Sequence, residues 1–136
     1  MNAWELQKAV YTKLTDDAGL MALVTGVYDW VPEGTAFPYI TIGEGQFNER
    51  DNKTHNGIRT DLMVHVWSNR GIVGIRGRDE ARQIAQVVYD LLHWQPLTIE
   101  NYDHVFTKWA FGETILDVDG VTYHSVQRFE ILAHET

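Results

Sequence analysis

Hydrophobic residues recur along the chain with two different periods, and each period predicts one kind of element. Near the start they recur every three or four positions, which is the spacing of one face of a helix. The residues on this face are Ala3, Leu6, Val10 and Leu14, with Trp4 and Tyr11 at its flank. Asn2 and Glu5 have the spacing of a capping box, in which each side chain hydrogen-bonds the other's backbone N–H. The pattern predicts an amphipathic first helix.

Two further helices are predicted. A short one follows the first, because Asp16 and Asp17 can cap its start and Gly26 can end it. The long central helix spans residues 81–92, and Pro96 ends it. Its apolar face carries Ala81, Ile84, Ala85, Val88, Leu91 and Leu92.

Alternation with a period of two predicts the strands. It is clearest over residues 58–67, where every second residue is apolar or Thr. Other strands are predicted at residues 27–31, 37–42, 97–99, 104–116 and 121–133. The last two are joined by the turn sequence Asp117-Val118-Asp119-Gly120, which predicts a closing hairpin.

The order of these elements predicts the fold class. Helices, strands, one helix and further strands indicate an α+β fold, because there are too few parallel crossovers for a doubly wound sheet. We expect one domain over residues 1–136, with two N-terminal helices and one long central helix. The sheet should be antiparallel or mixed, with the helices packed on one face.

Residues 43–57 form a polar segment rich in turn-forming residues, which predicts a long loop or arm at the tip of an extended hairpin. An assembly role is one interpretation, in which Phe47, its one large apolar residue, becomes buried against a neighbouring subunit. A solvated loop without a partner is the other. The residues assigned to the proposed assembly arm are Phe47, Glu49, Arg50, Asp51 and Lys53.

Composition excludes several classes of protein. The 136 residues contain no cysteine, which rules out disulfides, thiolate catalysis and Cys-type zinc sites and makes the cytoplasm the expected place of synthesis. A formal net charge of -8 argues against tight DNA binding, because phosphate neutralisation needs clustered cations. No stretch has the length or apolar character of a signal peptide or a membrane span.

The candidate chemical motifs all have the wrong spacing. The Asp117–Gly120 sequence lacks the distal ligands of a calcium loop, so a hairpin turn explains it better. The spacing of Gly71, Gly74 and Gly77 does not match a phosphate-binding loop. We therefore expect no cofactor, no metal site and no nucleotide.

The remaining polar residues also have simple structural explanations. None of the six histidines has metal-ligand spacing, although His65 and His124 could face one another across the sheet. Ser68 and Ser125 lack the glycines of a nucleophile elbow. The acidic pairs Glu33 with Glu44 and Asp103 with Glu113 are interpreted as ordinary surface charge. The five tryptophans are interpreted as core or interface anchors, with the lining of a ligand pocket as the alternative.

Several segments, in order and spacing, resemble the phage tail-completion family, whose members are also described as tail terminator or tail-to-head joining proteins of long-tailed phages and gene transfer agents. The resemblance covers nearly the whole chain. The segments that carry it are the N-terminal helix, the run Val27-Tyr28-Asp29-Trp30-Val31-Pro32-Glu33-Gly34, Phe37-Pro38-Tyr39-Ile40-Thr41-Ile42-Gly43-Glu44, Val64-His65-Val66-Trp67-Ser68, the central helix and Pro96-Leu97-Thr98, and the closing strand from Asp119 to Phe129. Residues 70–78 and 100–103 depart from the family pattern, which puts the geometry of those loops in question.

The resemblance implies a structural protein of the virion tail and no enzyme. It implies a homo-oligomeric ring, usually described as hexameric, that ends the tail tube and provides the surface to which the filled head attaches. The implied partners are the tail tube protein and a head-completion or connector protein, with DNA only in passage and without specific binding. Another head-tail connector (neck) protein, or a small-molecule-binding or enzymatic α+β domain, remain the alternatives.

Overall fold

A computed structural model of the protein describes residues 2–43, 45–69 and 77–136, and within these residues the chain forms three helices and six strands. The helices are α1 (Ala3–Thr15), α2 (Ala18–Met21) and α3 (Gly77–Leu92). The strands are β1 (Val27–Tyr28), β2 (Tyr39–Gly43), β3 (Phe47–Glu49), β4 (Gly57–Asn69), β5 (Tyr102–Leu116) and β6 (Thr122–Glu135). The α+β prediction is confirmed.

All six strands belong to one mixed sheet, in the order β1-β2-β4-β6-β5 with β3 paired to β4. The central ladder is antiparallel and joins β4 to β6 from the pair Gly57–His134 to the pair Asn69–Thr122. β2 pairs with the C-terminal part of β4 and β3 with its N-terminal part, so these two short strands lie end to end along one side of β4. β1 runs parallel to β2, and it lies at one edge of the sheet while β5 lies at the other.

The core lies between the helices and one face of the sheet. Every second residue of β4, from Ile58 to Val66, points into it, and so does Phe129 of β6, which is fully buried. The apolar faces of α1 and α3 supply the other side of the core, including Leu6, Val10, Leu14, Ile84, Val88 and Leu92. Burial of these alternating and helical stripes therefore holds the sheet and the helices together.

The helix starts differ in part from the prediction. Asp17 caps α2 as expected, since its carboxylate accepts a hydrogen bond of 2.8 Å from the Leu20 N–H. The capping box at α1 does not form, because the Asn2 side chain makes no capping bond. The Asn2 N–H instead donates to the Tyr102 hydroxyl at 2.8 Å, so Glu5 has no free amide to bind there.

Three predicted segments change length or type. The strand expected at residues 27–31 stops after Tyr28. The strand expected at residues 97–99 is reduced to a single bridge between Ile99 and Tyr102, because the Leu97 N–H is taken by His104. The loop expected at residues 43–57 contains β3, because β4 extends past the end of β2 and leaves an edge free for pairing.

Candidate assembly surfaces

The described residues contain no group of three or more His, Asp or Glu side chains that could hold a metal ion. At the turn between β5 and β6, the Asp119 carboxylate accepts hydrogen bonds from the Val121 N–H, the Thr122 N–H and the Thr122 hydroxyl at 2.9, 2.8 and 2.6 Å. These bonds lower the pKa of Asp119, and the Thr122 hydroxyl contributes most. The hairpin-turn interpretation of this sequence is therefore confirmed.

The predicted meeting of His65 and His124 is also confirmed. Nδ1 of His65 lies 2.5 Å from Nε2 of His124. The Trp67 ring stacks on His124 with centroids 3.8 Å apart, and its Nε1 donates to the Thr41 hydroxyl at 3.0 Å. The pair is thus part of a packed aromatic cluster on the sheet face turned away from α3.

The two serines have structural partners. The Ser68 hydroxyl donates to Glu80 Oε1 at 2.5 Å and links the end of β4 to the first turn of α3. Ser125 lies 3.3 Å from the Thr114 hydroxyl on the neighbouring strand. Both hydroxyls therefore tie elements of the fold together.

The remaining chemical candidates do not converge. Asp103 and Glu113 pair with His134 and Val126 on β6, and at about 3.3 Å per residue they are separated by roughly 30 Å along β5. Glu44, Gly71 and Gly74 lie outside the described residues. Gly77 begins α3, where an added Cβ would lie 2.6 Å from the Asn69 carbonyl oxygen, so its lack of a side chain serves close packing.

Phe47, Glu49, Arg50, Asp51 and Lys53 all lie at one end of the sheet and are exposed, with Phe47 on β3 and 54% accessible. The tip is held by hydrogen bonds from the Arg50 N–H to the Gly57 carbonyl and from the Gly57 N–H to Asp51 Oδ1, both 2.9 Å. The predicted hairpin tip is confirmed, and the irregular loop is corrected to a strand followed by a turn. The assembly role of the arm stays a prediction.

A groove lies between α3 and the β5–β6 pair, with a volume of about 530 Å³. Gln127 is 93% buried within it and donates from Nε2 to the Ala85 carbonyl at 3.1 Å. Its Oε1 and the Trp109 Nε1 have no hydrogen-bond partner among the described residues. The groove is open and its lining is mainly polar, and buried groups of this kind are commonly satisfied by bound water.

An apolar cleft lies at the β1 edge of the sheet, between α1 and the first two strands. We call it the α1 cleft; its volume is about 300 Å³. Its lining residues are Trp4, Gln7, Lys8, Tyr11, Tyr28, Asp29 and Ile42. Trp4 and Tyr11 are 52% and 46% exposed, so two large rings form its accessible walls. The sequence placed these two residues at the flank of the helix but did not predict the cleft.

The opposite edge of the sheet carries a second apolar surface. Phe111, Glu113 and Ile115 pair with Arg128, Val126 and His124 on β6, so their side chains point to the same side of β5. We call these three residues the β5 stripe; Phe111 and Ile115 are 42% and 40% exposed. Beyond the stripe, the turn of the hairpin exposes Val118 and Val121. Exposed apolar residues therefore lie at both edges of the sheet, while others, such as Leu23 and Phe47, lie elsewhere on the surface.

No helix among the described residues is long and apolar enough to cross a membrane.

Comparison with protein families shows that the model described as tail completion protein gp17 matches residues 8–134. A curated relative, the tail completion protein gp17 of Bacillus phage SPP1, is 31% identical over 121 residues, which cover 89% of this chain and 86% of that relative.

The similar solved structures include two whose descriptions are informative. A chain in the virion of a native gene transfer agent particle superposes with a TM-score of 0.84 at 28% sequence identity, covering 97% of this chain and 96% of that chain. The structure of bacteriophage SPP1 gp17 superposes with a TM-score of 0.60 at 25% identity, covering 93% and 86%. The similarity in both sequence and fold extends over almost the entire chain.

Proposed function

The chain belongs to the tail completion protein gp17 family, and we propose that its copies close into a ring that ends the tail tube and joins the tail to the filled head. Members of this family are structural tail proteins, so this protein is a component of the virion tail and not an enzyme. The observation that carries the ring proposal is the nearly full-length structural match to a chain of an assembled virion. We propose six copies in the ring and assembly in the host cytoplasm.

The distribution of apolar surface supports a ring. A closed ring needs a heterologous interface, in which one patch of each subunit meets a different patch of the next. The α1 cleft and the β5 stripe are two such different patches at opposite edges of one sheet. The two ends of the ring would contact the tail tube protein and the head-completion or connector protein.

The net charge supports the passage of DNA without specific binding. At -8 the subunit repels phosphate over about one Debye length, roughly 8 Å at physiological salt. A conduit with this balance would let DNA pass without holding it.

Deletion of the gene from its phage tests the proposal. We expect filled heads together with unjoined or overlong tails in electron micrographs, because nothing would end the tube or offer a surface to the head. Supplying the gene from a plasmid is the control and should restore infectious particles. If the tails instead had normal length and simply failed to attach to filled heads, the protein would be another neck protein. Normal infectious particles from the deletion strain would refute both roles.

A further inference from the structure

The α1 cleft and the β5 stripe cannot meet within one molecule. They lie at the two edges of the sheet, and four strand spacings of about 4.8 Å separate those edges by roughly 19 Å. Each surface is therefore available only to a different molecule. A cleft at one edge and a protruding stripe at the other is the arrangement from which head-to-tail contacts are built.

The two surfaces match in length. On α1, Trp4, Lys8 and Tyr11 follow one another at intervals of four and three residues, which places them on one helical face over about 10 Å. The β5 stripe runs from residue 111 to residue 115, which is four residue steps, or about 13 Å of extended chain. One side of the contact is a helix face and the other a strand edge, and their lengths are similar.

The two surfaces also match in chemistry. Each presents an apolar residue, a charged residue and an apolar residue in order, and the charges are opposite: Lys8 on the helix and Glu113 on the strand. Residues 109–127 contain Glu113, Asp117 and Asp119 and no lysine or arginine, while Lys108 and Arg128 lie just outside this segment. Arg128 pairs with Phe111 and so lies on the same side of the sheet as the stripe, which leaves Lys8 and Glu113 as a local charge match. Large aromatic rings beside an apolar cleft are the groups that most often dominate binding energy.

We propose that the β5 stripe of one copy packs into the α1 cleft of the next copy, with Glu113 facing Lys8. This contact rests on the ring proposed above and names the residues that would build it. Phe111 and Ile115 lose their exposure against Trp4 and Tyr11. Because the two patches differ, each copy uses one patch on each side, and repetition of the contact closes a ring.

The charges already present at the α1 cleft permit this contact. Lys8 pairs with Glu5 at 3.1 Å, and the Lys8 side chain is 45% exposed while that of Glu5 is 13% exposed. A lysine ammonium has three donors, so Lys8 can keep its bond to Glu5 and bind Glu113 as well. Among the described residues that line the cleft, Asp29 is the acidic one, and its Oδ1 accepts a hydrogen bond of 3.0 Å from Gln7.

Thiol crosslinking tests the contact directly, because the natural chain has no cysteine. The double variant Lys8→Cys with Glu113→Cys, as the only copy in the phage, should give a ladder of covalent oligomers ending at the size of the ring after treatment with a short bis-maleimide. Either single variant alone should give no crosslinked dimer. A mixture of the two single variants should give dimers and nothing larger, which is the signature of a heterologous interface.

The control pair is Lys8→Cys with Asp103→Cys, because Asp103 is an exposed residue of β5 that lies roughly 30 Å from Glu113 and should give no ladder. Charge reversal supplies a functional measurement. Glu113→Lys should reduce the yield of joined particles, because two ammonium groups would then face each other at the contact, while Asp103→Lys on the same strand should leave the yield unchanged.

Failure of this contact and failure of the proposed ring would give different results. If rings are visible on isolated tails but the double variant gives no ladder, the contact is wrong and the ring stands. A ladder from the control pair, or dimers from a single variant, would likewise overturn the head-to-tail contact. If no ring is present on wild-type tails, the proposed function fails and this contact fails with it.

Discussion

His104 connects the segment after α3 to β5. Its Nδ1 accepts a hydrogen bond of 3.3 Å from the Leu97 N–H, and its Nε2 lies 2.7 Å from the Thr107 hydroxyl. Burial lowers the pKa of His104 below its usual 6.5, although a backbone hydrogen bond at Phe106 opposes this shift. The folded protein therefore favours the neutral ring, which can accept the Leu97 bond.

This shift predicts a pH dependence of stability. Between the folded pKa and 6.5 the unfolded chain binds more protons at His104, so the free energy of unfolding rises with pH in that window. The contribution is fully present above 6.5 and is lost as the pH falls through the folded pKa. His104→Gln should flatten this part of the profile, measured by urea unfolding from pH 8 to pH 5. The difference in free energy of unfolding between wild type and His104→Gln at pH 8 is the reference. If this difference stays the same down to pH 5, the prediction is contradicted.

At the scale of the elements, the arm predicts a change in protease sensitivity. Arg50 and Lys53 are exposed at the tip, where few contacts resist local opening. We expect trypsin to cut there in the free subunit and to be blocked in assembled tails, because the arm would then lie against a neighbour. Fragment masses from mass spectrometry identify the sites.

A variant with Arg50→Gln and Lys53→Gln is the matched control, since it keeps the hairpin and removes both cleavage sites. Equal cleavage of the wild-type arm in free subunits and in tails would eliminate the assembly role of the arm. The family membership and the ring proposal would be unaffected.

The strands that could be predicted from the sequence are those with one buried face and one more exposed face. β4 was predicted from alternation, because its even-numbered residues are buried against the helices and its odd-numbered residues are not, apart from Gly57 at its start and the packed His65. β3 could not be predicted, because all three of its residues are exposed and its pairing depends on how far β4 extends beyond β2. Residues 29–31 have strand-forming sequence, but β1 ends at Tyr28.

The candidate surfaces were harder to predict from the sequence than the fold was. Trp4 and Tyr11 were recognised beside the apolar helix face, but the α1 cleft also needs Tyr28 and Ile42, which only the folded sheet brings to α1. On β5, register shifts between His104 and Phe106 and between Trp109 and Phe111 decide which residues share a face. Bulges break simple alternation, so the β5 stripe follows from the structure and not from the period of two.

At the scale of the whole molecule, we expect the purified protein to bind no zinc, calcium or nucleotide in its native state. The described residues offer no cluster of three metal-binding side chains, and a tight ligand would raise the melting temperature by mass action. A thermal-shift series with and without chelator, together with native mass spectra, measures this. Stoichiometric binding of any of the three would contradict the expectation.

The position of β6 has a consequence for how the subunit is made. β6 follows every other described element in the sequence, yet it lies between β4 and β5 in the sheet. During synthesis β4 can pair with β2 and β3, but β5 has no partner among the described strands until residues 122–135 have been made. Ladders between residues that are distant in sequence also form slowly. A chain released before β6 has been translated therefore has no completed sheet. In such a chain β5 is not attached to the sheet that carries the α1 cleft. The chain therefore lacks one of the two surfaces that the proposed ring contact needs.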